Sequence, residues 1–483
     1  LGAERFRSAF HGDHAAVYEE LAVALLDRDG DADIAEAFAV CERAKSRTLQ
    51  ELMRAELQSG AHTSETSHHD DAEASLVQRL DAARAELNAL YSVLDDDCRN
   101  SPARQEQWRR DVRRREEEVA ELDARLATTA ANGGLASVFA PTVNASAAQR
   151  VLSECAGIIE YFTAGDEIIA FIIGRDSLKV HRNAGSIQKV AALSQSLQFQ
   201  ISRALRPGAL DGQRGDRLTI DALRVLTELA AELVQPLASD IASFDELTIV
   251  PHGILHALPF HAMPLDGLPL IETHRMSTAP SSSVLASIAS AKAHRSFADA
   301  HAKPLVVGVA DEIAPDIERE AALVAATLGL DGENLLTGAA ATVQAVSAKA
   351  RNASLLHLAC HGRLAPESPM GSGLRLADRW LTLRKLMDWR LQAALVTLSG
   401  CETGLHRVKP GDDLIGLQRG FFAAGAKAVL STLWRVDDAT TSEYMAAFYG
   451  FLNTLDAGAG NVAGAFRNAV VTIKRTHPHP AFW

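Results

Sequence analysis

Two reactive side chains end two short apolar runs. Ser354-Leu355-Leu356-His357-Leu358-Ala359-Cys360 leads into His361-Gly362, and Ala394-Leu395-Val396-Thr397-Leu398-Ser399-Gly400 leads into Cys401-Glu402-Thr403-Gly404. A thiol becomes a strong nucleophile as the thiolate, and an imidazole within reach can take its proton, so the pair supports acyl transfer. Gly362 and Gly400 flank the pair. Glycine lets backbone approach a substrate closely, with its N–H groups facing a developing oxyanion.

The elements that must position these groups follow from the runs themselves. Short apolar runs bounded by glycine read as strands buried on both faces, as in a parallel sheet. Ligands of open α/β sheets bind beyond the carboxyl ends of the strands, where His361 and Cys401 would then sit. They are 401 − 361 = 40 positions apart, which allows a crossover to a parallel neighbour, with a helix-like piece around Leu383–Leu391. Cys360 is a decoy, because side chains alternate along a strand and Cys360 and His361 point apart. Buried cysteines serve most often as small core hydrophobes, the reading given to Cys41, Cys98, Cys155 and Cys360. His357 and His361 have an H-x-x-x-H spacing, but on a strand this lacks the helical zinc geometry, and His357 is read as a core residue or a support for the site. No metal site and no cofactor are expected.

The motifs His361-Gly362 and Ser399-Gly400-Cys401-Glu402-Thr403-Gly404 resemble the CHAT peptidases of the caspase–separase clan of cysteine proteases. The resemblance continues through Gly416-Leu417-Gln418-Arg419-Gly420-Phe421-Phe422-Ala423-Ala424-Gly425-Ala426 and Val429-Leu430-Ser431-Thr432-Leu433-Trp434-Arg435-Val436-Asp437-Asp438, and upstream through Val250-Pro251-His252-Gly253-Ile254-Leu255-His256-Ala257-Leu258-Pro259-Phe260. It covers roughly Leu152 to the C-terminus. It implies a pseudo-caspase half without catalytic residues over 150–300 and a catalytic half over 301–483. In such a half Cys401 attacks the scissile carbonyl and His361 activates it and later protonates the leaving amine. The N–H groups of Gly362 and Cys401 hold the oxyanion, and no Asp partner is required.

The bulk properties are those of a globular protein. The 483 residues are 47% hydrophobic and 23% charged, enough for two to four domains. The net charge of −13 argues against nucleic-acid binding as the main task. Five cysteines, an odd and sparse set, fit a reducing cytoplasm better than a disulfide framework. No run of about 18 apolar residues suggests a membrane span, and no signal peptide is visible. The chain opens on Leu1 and closes on Trp483, where family members usually continue into a final strand, so truncation at both ends is expected.

Ahead of the α/β part the pattern is helical. Residues 1–58 carry two helical stretches, His14–Leu26 and Ile34–Leu57, separated by acidic Asp29-Gly30-Asp31-Ala32-Asp33. Their order resembles the last unit of a tetratricopeptide array, with a generic helical hairpin as the alternative. A polar linker with His68-His69 follows, read as solvated loop. Residues 71–131 form an antiparallel hairpin of coiled-coil type, with one stripe at Leu76, Leu80, Ala83, Leu87, Leu90 and Leu94 and another at Val112, Val119, Leu122 and Leu126. The run Arg109–Arg115 is followed by Glu116-Glu117-Glu118 and reads as a solvated face. A long exposed hairpin and an incomplete repeat unit suggest a docking arm for a regulatory protein or sensor.

The expected fold is thus α/β: a caspase-like, mostly parallel sheet with helices on both faces, preceded by an all-α region. The expected function is a cytoplasmic cysteine endopeptidase acting on a protein partner, which the resemblance implies is a regulated effector in bacterial defence or cell death. The alternative is a catalytically silent scaffold for protein–protein interaction, and a third reading is an acyltransfer or ligase activity with the same dyad. Trp434-Arg435-Val436-Asp437-Asp438 resembles the separase segment whose acidic residue faces the substrate's arginine. Aligned on Trp434 and Val436, Asp438 takes that place, with Asp437 and Glu402 as weaker candidates; a carboxylate there suits a guanidinium and cleavage after a basic residue. The competing role for either Asp is to cap the helix starting near Ala439.

Overall fold

The computed structural model describes residues 15–28, 30–45, 49, 71–92, 102–130, 144–290, 303–310, 314–330, 332–365, 369–400, 407–409, 413–454 and 460–483. The first elements among the described residues are two helix pairs, α1 (Ala15–Leu26) with α2 (Asp31–Ala44), and α3 (Asp71–Ser92) with α4 (Pro102–Ala130). A first sheet follows, built from β1 (Ala156–Ala164), β2 (Glu167–Gly174), β3 (Ser177–Ser186), β4 (Glu246–Val250) and β5 (Arg275–Thr278). Helices α5 (Ile187–Ala204), α6 (Gly212–Leu233) and α7 (Ser282–Ser290) belong to this part.

The first sheet has the order β3-β2-β1-β4-β5. β1, β2 and β3 pair antiparallel, while β1–β4 and β4–β5 are parallel. β1 and β2 are joined at Gly165, whose φ of 58° suits the turn. Both strands read as continuous apolar runs because both faces are covered. Ile159, Tyr161, Ile168 and Ala170 pack with α5 and α6. On the other face, Ile158, Phe162, Ile169 and Phe171 pack against α1 and α2 through Ala22, Leu25 and Phe38.

The second sheet comprises β6 (Leu305–Val309), β7 (Leu335–Thr337), β8 (Leu355–Cys360), β12 (Leu395–Ser399) and β13 (Val429–Ser431), between which a small antiparallel sheet of β9 (Gly362–Arg363), β10 (Gly373–Arg375) and β11 (Trp380–Thr382) is inserted. Its order is β13-β12-β8-β6-β7, and every pair is parallel. Its helices are α8 (Ile317–Thr327), α9 (Val343–Ala350), α10 (Leu417–Ala423), α11 (Asp438–Thr454) and α12 (Gly460–Thr476). One face, through Val306, Leu355 and Leu395, packs on α8, α11 and α12; the other, through Val307, Leu356, Leu358 and Val396, packs on α9 and α10. Helix α12 joins the two parts, since Ala465 and Ala469 belong to the second core while Val470 and Ile473 belong to the first.

Fold class is as expected, with two differences. The 40-residue step between the key strands is filled by the small sheet, and the helix-like piece shrinks to the single turn Leu383–Leu386. The α3–α4 hairpin is not an exposed arm: Leu80, Ala83, Leu87, Tyr91, Val112, Val119 and Leu122 are buried in the same core as the second sheet. Within the hairpin the Tyr91 hydroxyl donates to Glu116 (2.7 Å) and the Trp108 indole to the Leu90 carbonyl (2.8 Å). Leu94, Cys98 and most of residues 46–70 lie outside the described residues.

Candidate active site

Strands β8 and β12 run side by side, with Leu355 opposite Leu395 and Ala359 opposite Ser399. His361 follows Ala359 by two positions, as Cys401 follows Ser399. Cys401, Glu402 and the rest of 401–406 lie outside the described residues, and the described neighbours of that segment are Gly400 and the residues around His361.

The histidine side is tightly determined. β8 ends at Cys360, which is fully buried in the core, and His361 beyond it is partly buried. The His361 carbonyl accepts the Arg375 N–H at 2.8 Å, which makes His361 and Arg375 a hydrogen-bonded pair of the β9–β10 ladder. In an antiparallel ladder such pairs alternate with non-bonded ones, so the Gly362 N–H, opposite Leu374, points away from β10. Next in line, Arg363 donates to the Tyr91 carbonyl (2.8 Å) and the Gly371 carbonyl (3.2 Å), and its guanidinium lies 4.1 Å from the centre of the Trp380 ring. Tyr91 is in the last turn of α3, where carbonyls lack helical partners and a cation is favoured. The hairpin is therefore fastened two residues from His361.

On the other side, the Gly400 carbonyl accepts the Thr432 hydroxyl at 3.0 Å. Thr432 follows β13, the neighbour of β12, so the residue before Cys401 is tied to the next strand's exit. The Trp434 indole donates to the Ala481 carbonyl at 3.0 Å.

Asp437 is exposed and caps α11: its carboxylate accepts the Thr440 N–H (3.0 Å) and the Thr440 hydroxyl (2.9 Å). Asp438 is partly buried in the first turn, and its carbonyl accepts the Ser442 hydroxyl at 3.0 Å. The capping role weighed for both residues therefore falls to Asp437.

Beneath these groups lies a polar cluster that sequence reasoning did not assemble. His357 is fully buried, with Nδ1 3.0 Å from the Tyr449 hydroxyl and Nε2 3.3 Å from Glu320 Oε1. Tyr449 donates to the Thr397 hydroxyl at 2.7 Å. The available signal was a His and a Thr near the middle of two otherwise apolar strands. Among the described residues, no group of three or more His, Cys, Asp or Glu could hold a metal ion. No helix among them is long and apolar enough to cross a membrane.

Residues 223–483, more than half of the chain, match the family model described as the CHAT domain. The chain belongs to the CHAT-domain family. The match starts inside α6, later than the resemblance read from Leu152. Tetratricopeptide repeat protein 28 of Mus musculus is 38% identical over 109 residues, and its Homo sapiens counterpart 35% over 109. In each case the match covers 22% of this chain and 4% of the relative's length, so the chain spans a small part of those relatives. The crystal structure of the Saccharomyces cerevisiae separase–securin complex aligns with a TM-score of 0.40 and 10% identity, over 67% of this chain and 30% of that one. This CHAT protein has an α/β fold with an entirely parallel second sheet, preceded in sequence by the two helix pairs α1–α2 and α3–α4.

Proposed function

We propose that this CHAT protein is a cysteine endopeptidase in which Cys401 is the nucleophile and His361 the general base. One observation carries the reading: the parallel register of Ala359 with Ser399, from which His361 and Cys401 are each two positions on. The outward Gly362 N–H, with that of Cys401, serves as oxyanion donor; each such donor is typically worth about 2.7–4 kcal/mol in the transition state. The substrate is a protein cut after a basic residue, with Asp438 meeting the cation and Glu402 a weaker candidate. Residues 301–483 form the catalytic half and 150–300 its supporting half. The enzyme works in the cytoplasm as an effector in defence or cell death, gated by a partner that engages the helical region.

The test is a panel of fluorogenic tetrapeptides varying the residue before the cut, run on the unmodified protein and on Cys401→Ala, His361→Ala and Cys360→Ala. Cleavage after Arg or Lys is expected, lost in the first two variants and kept in the third. Activity surviving Cys401→Ala but lost in Cys360→Ala refutes the dyad, and efficient cleavage after Asp refutes the basic specificity. A folded protein silent on every peptide and on candidate protein partners favours the scaffold reading.

A further inference from the structure

The buried cluster around Tyr449 joins the elements that would deliver the dyad and the specificity carboxylate. His357 on β8 and Thr397 on β12 are register partners. They precede His361 and Cys401 by the same interval, 361 − 357 = 4 and 401 − 397 = 4. Tyr449 on α11 touches both, and Glu320 on α8 faces the other side of the His357 ring. The Tyr449 hydroxyl has one proton, which goes to Thr397; the bond to His357 therefore requires the proton on the ring's Nδ1. Burial holds the Tyr449 phenol well above its ordinary range, so it remains a neutral donor.

The same side chain sets a distance along α11. Four residues of strand span about 13 Å from the cluster to the sheet's functional end. Tyr449 lies 449 − 438 = 11 residues after the start of α11 at Asp438, about 16 Å of helix. Because α11 begins beyond the exit of β13 and reaches mid-sheet at Tyr449, it runs back along the strands, and the two spans end at nearly the same level. One hydroxyl thus fixes two strands and a helix relative to one another, each at a set distance from the groups that would act on the substrate. Apolar side chains would fill this space without the cost of burying polar groups, but without directional bonds.

We propose that Tyr449, with His357, Thr397 and Glu320, is a positioning residue for the peptidase site, holding His361, Cys401 and Asp438 in register. The inference rests on the dyad reading. In Tyr449→Phe the ring that packs against Phe448 is kept and the hydroxyl removed. With an Arg-containing fluorogenic tetrapeptide, kcat is expected to fall about tenfold or more while KM changes little, because small misplacement of reacting groups acts on the chemical step. The second readout needs no turnover: iodoacetamide alkylation of Cys401 against pH, followed by peptide mass mapping. In the unmodified protein the profile should lie below that of His361→Ala, and in Tyr449→Phe it should move toward it. Thr397→Val should reproduce the effect, Thr397→Ser should restore it, and Tyr449→Phe with Thr397→Val should lose no more than either alone.

A Tyr449→Phe protein with lowered thermal stability but unchanged kcat and alkylation profile overturns the positioning role and leaves the dyad standing. An alkylation profile indifferent to His361→Ala overturns both. If Tyr449→Phe does not fold, the contrast of Thr397→Val with Thr397→Ser decides by the same readouts.

Discussion

Outside the proposed site, Lys45 joins several elements through one buried charge. It follows α2, is fully buried, and its Nζ donates to the Tyr161 carbonyl (2.5 Å) and the Pro251 carbonyl (3.3 Å) beside Glu160 Oε1 at 3.3 Å. Glu160 accepts the Ser282 hydroxyl at 2.5 Å, and Glu42 accepts the backbone N–H groups of Ser282 (3.1 Å) and Ser283 (2.7 Å) at the start of α7. The cluster joins α2 to β1, to α7 and to the loop after β4. Burial, and then the Glu160 charge, push the Glu42 carboxyl well above the usual carboxylate range.

Lys45→Met keeps most of the stem and removes the cation, leaving Glu160 buried without this partner. Removing one member of a buried ion pair costs about 3–5 kcal/mol. Domains of this size lose roughly 2–4 °C of Tm per kcal/mol, so a fall of about 6–20 °C is expected near neutral pH. The pH dependence has a definite sign. A folded-state pKa raised above the unfolded value gives stability that is present at low pH and lost as pH rises through the raised value. Lys45 is the charge that pulls the Glu42 carboxyl down, so without it Glu42 holds its proton more strongly and the deficit of Lys45→Met should be larger at pH 8 than at pH 5.5. Thermal and urea unfolding at both values measure it, and adding Glu160→Gln should recover much of the loss. A Lys45→Met protein within about 1 kcal/mol of the parent at both pH values would refute the reasoning, since it falls well short of the roughly 3–5 kcal/mol expected for an uncompensated buried charge.

Four other expected outcomes rest on individual residues. Asp437→Ala should lower stability by about 1 kcal/mol through loss of the α11 cap, measured by urea unfolding, while Asp438→Ala should lower cleavage of Arg peptides far more than stability. Burial holds the His261 and His479 rings down to about 4, so their contribution is present above their unfolded value and lost as pH falls through 4; urea midpoints should drop between pH 7 and pH 4, and His479→Gln should flatten the curve. Gly425 follows α10 with φ of 103°, and a Cβ there would lie 2.7 Å from the Leu391 carbonyl oxygen; Gly425→Ala should cost about 2 kcal/mol or more by thermal unfolding.

Local patterns were legible where each residue's neighbours along the chain decide its state. The apolar run Ser354–Cys360 becomes β8 at Leu355–Cys360, and the run Ala394–Gly400 becomes β12 at Leu395–Ser399. The small sheet after His361 was not legible, because its strands have two or three residues each and carry no measurable alternation. Nor was the packing of the α3–α4 hairpin: a heptad stripe says that a face will be covered, not by what, and here Tyr91 meets Gly371 while Arg363 reaches the end of α3. The candidate site divides the same way. His361 and Cys401 stand out by their place after apolar strands, whereas His357 and Thr397 look like isolated blemishes until the register puts them on one rung. A polar side chain on such a rung needs a partner from the layer above, and Tyr449 supplies it from 92 positions away. That pairing belongs to the tertiary fold, so the residues that hold a site in place are harder to read from sequence than those that act in it.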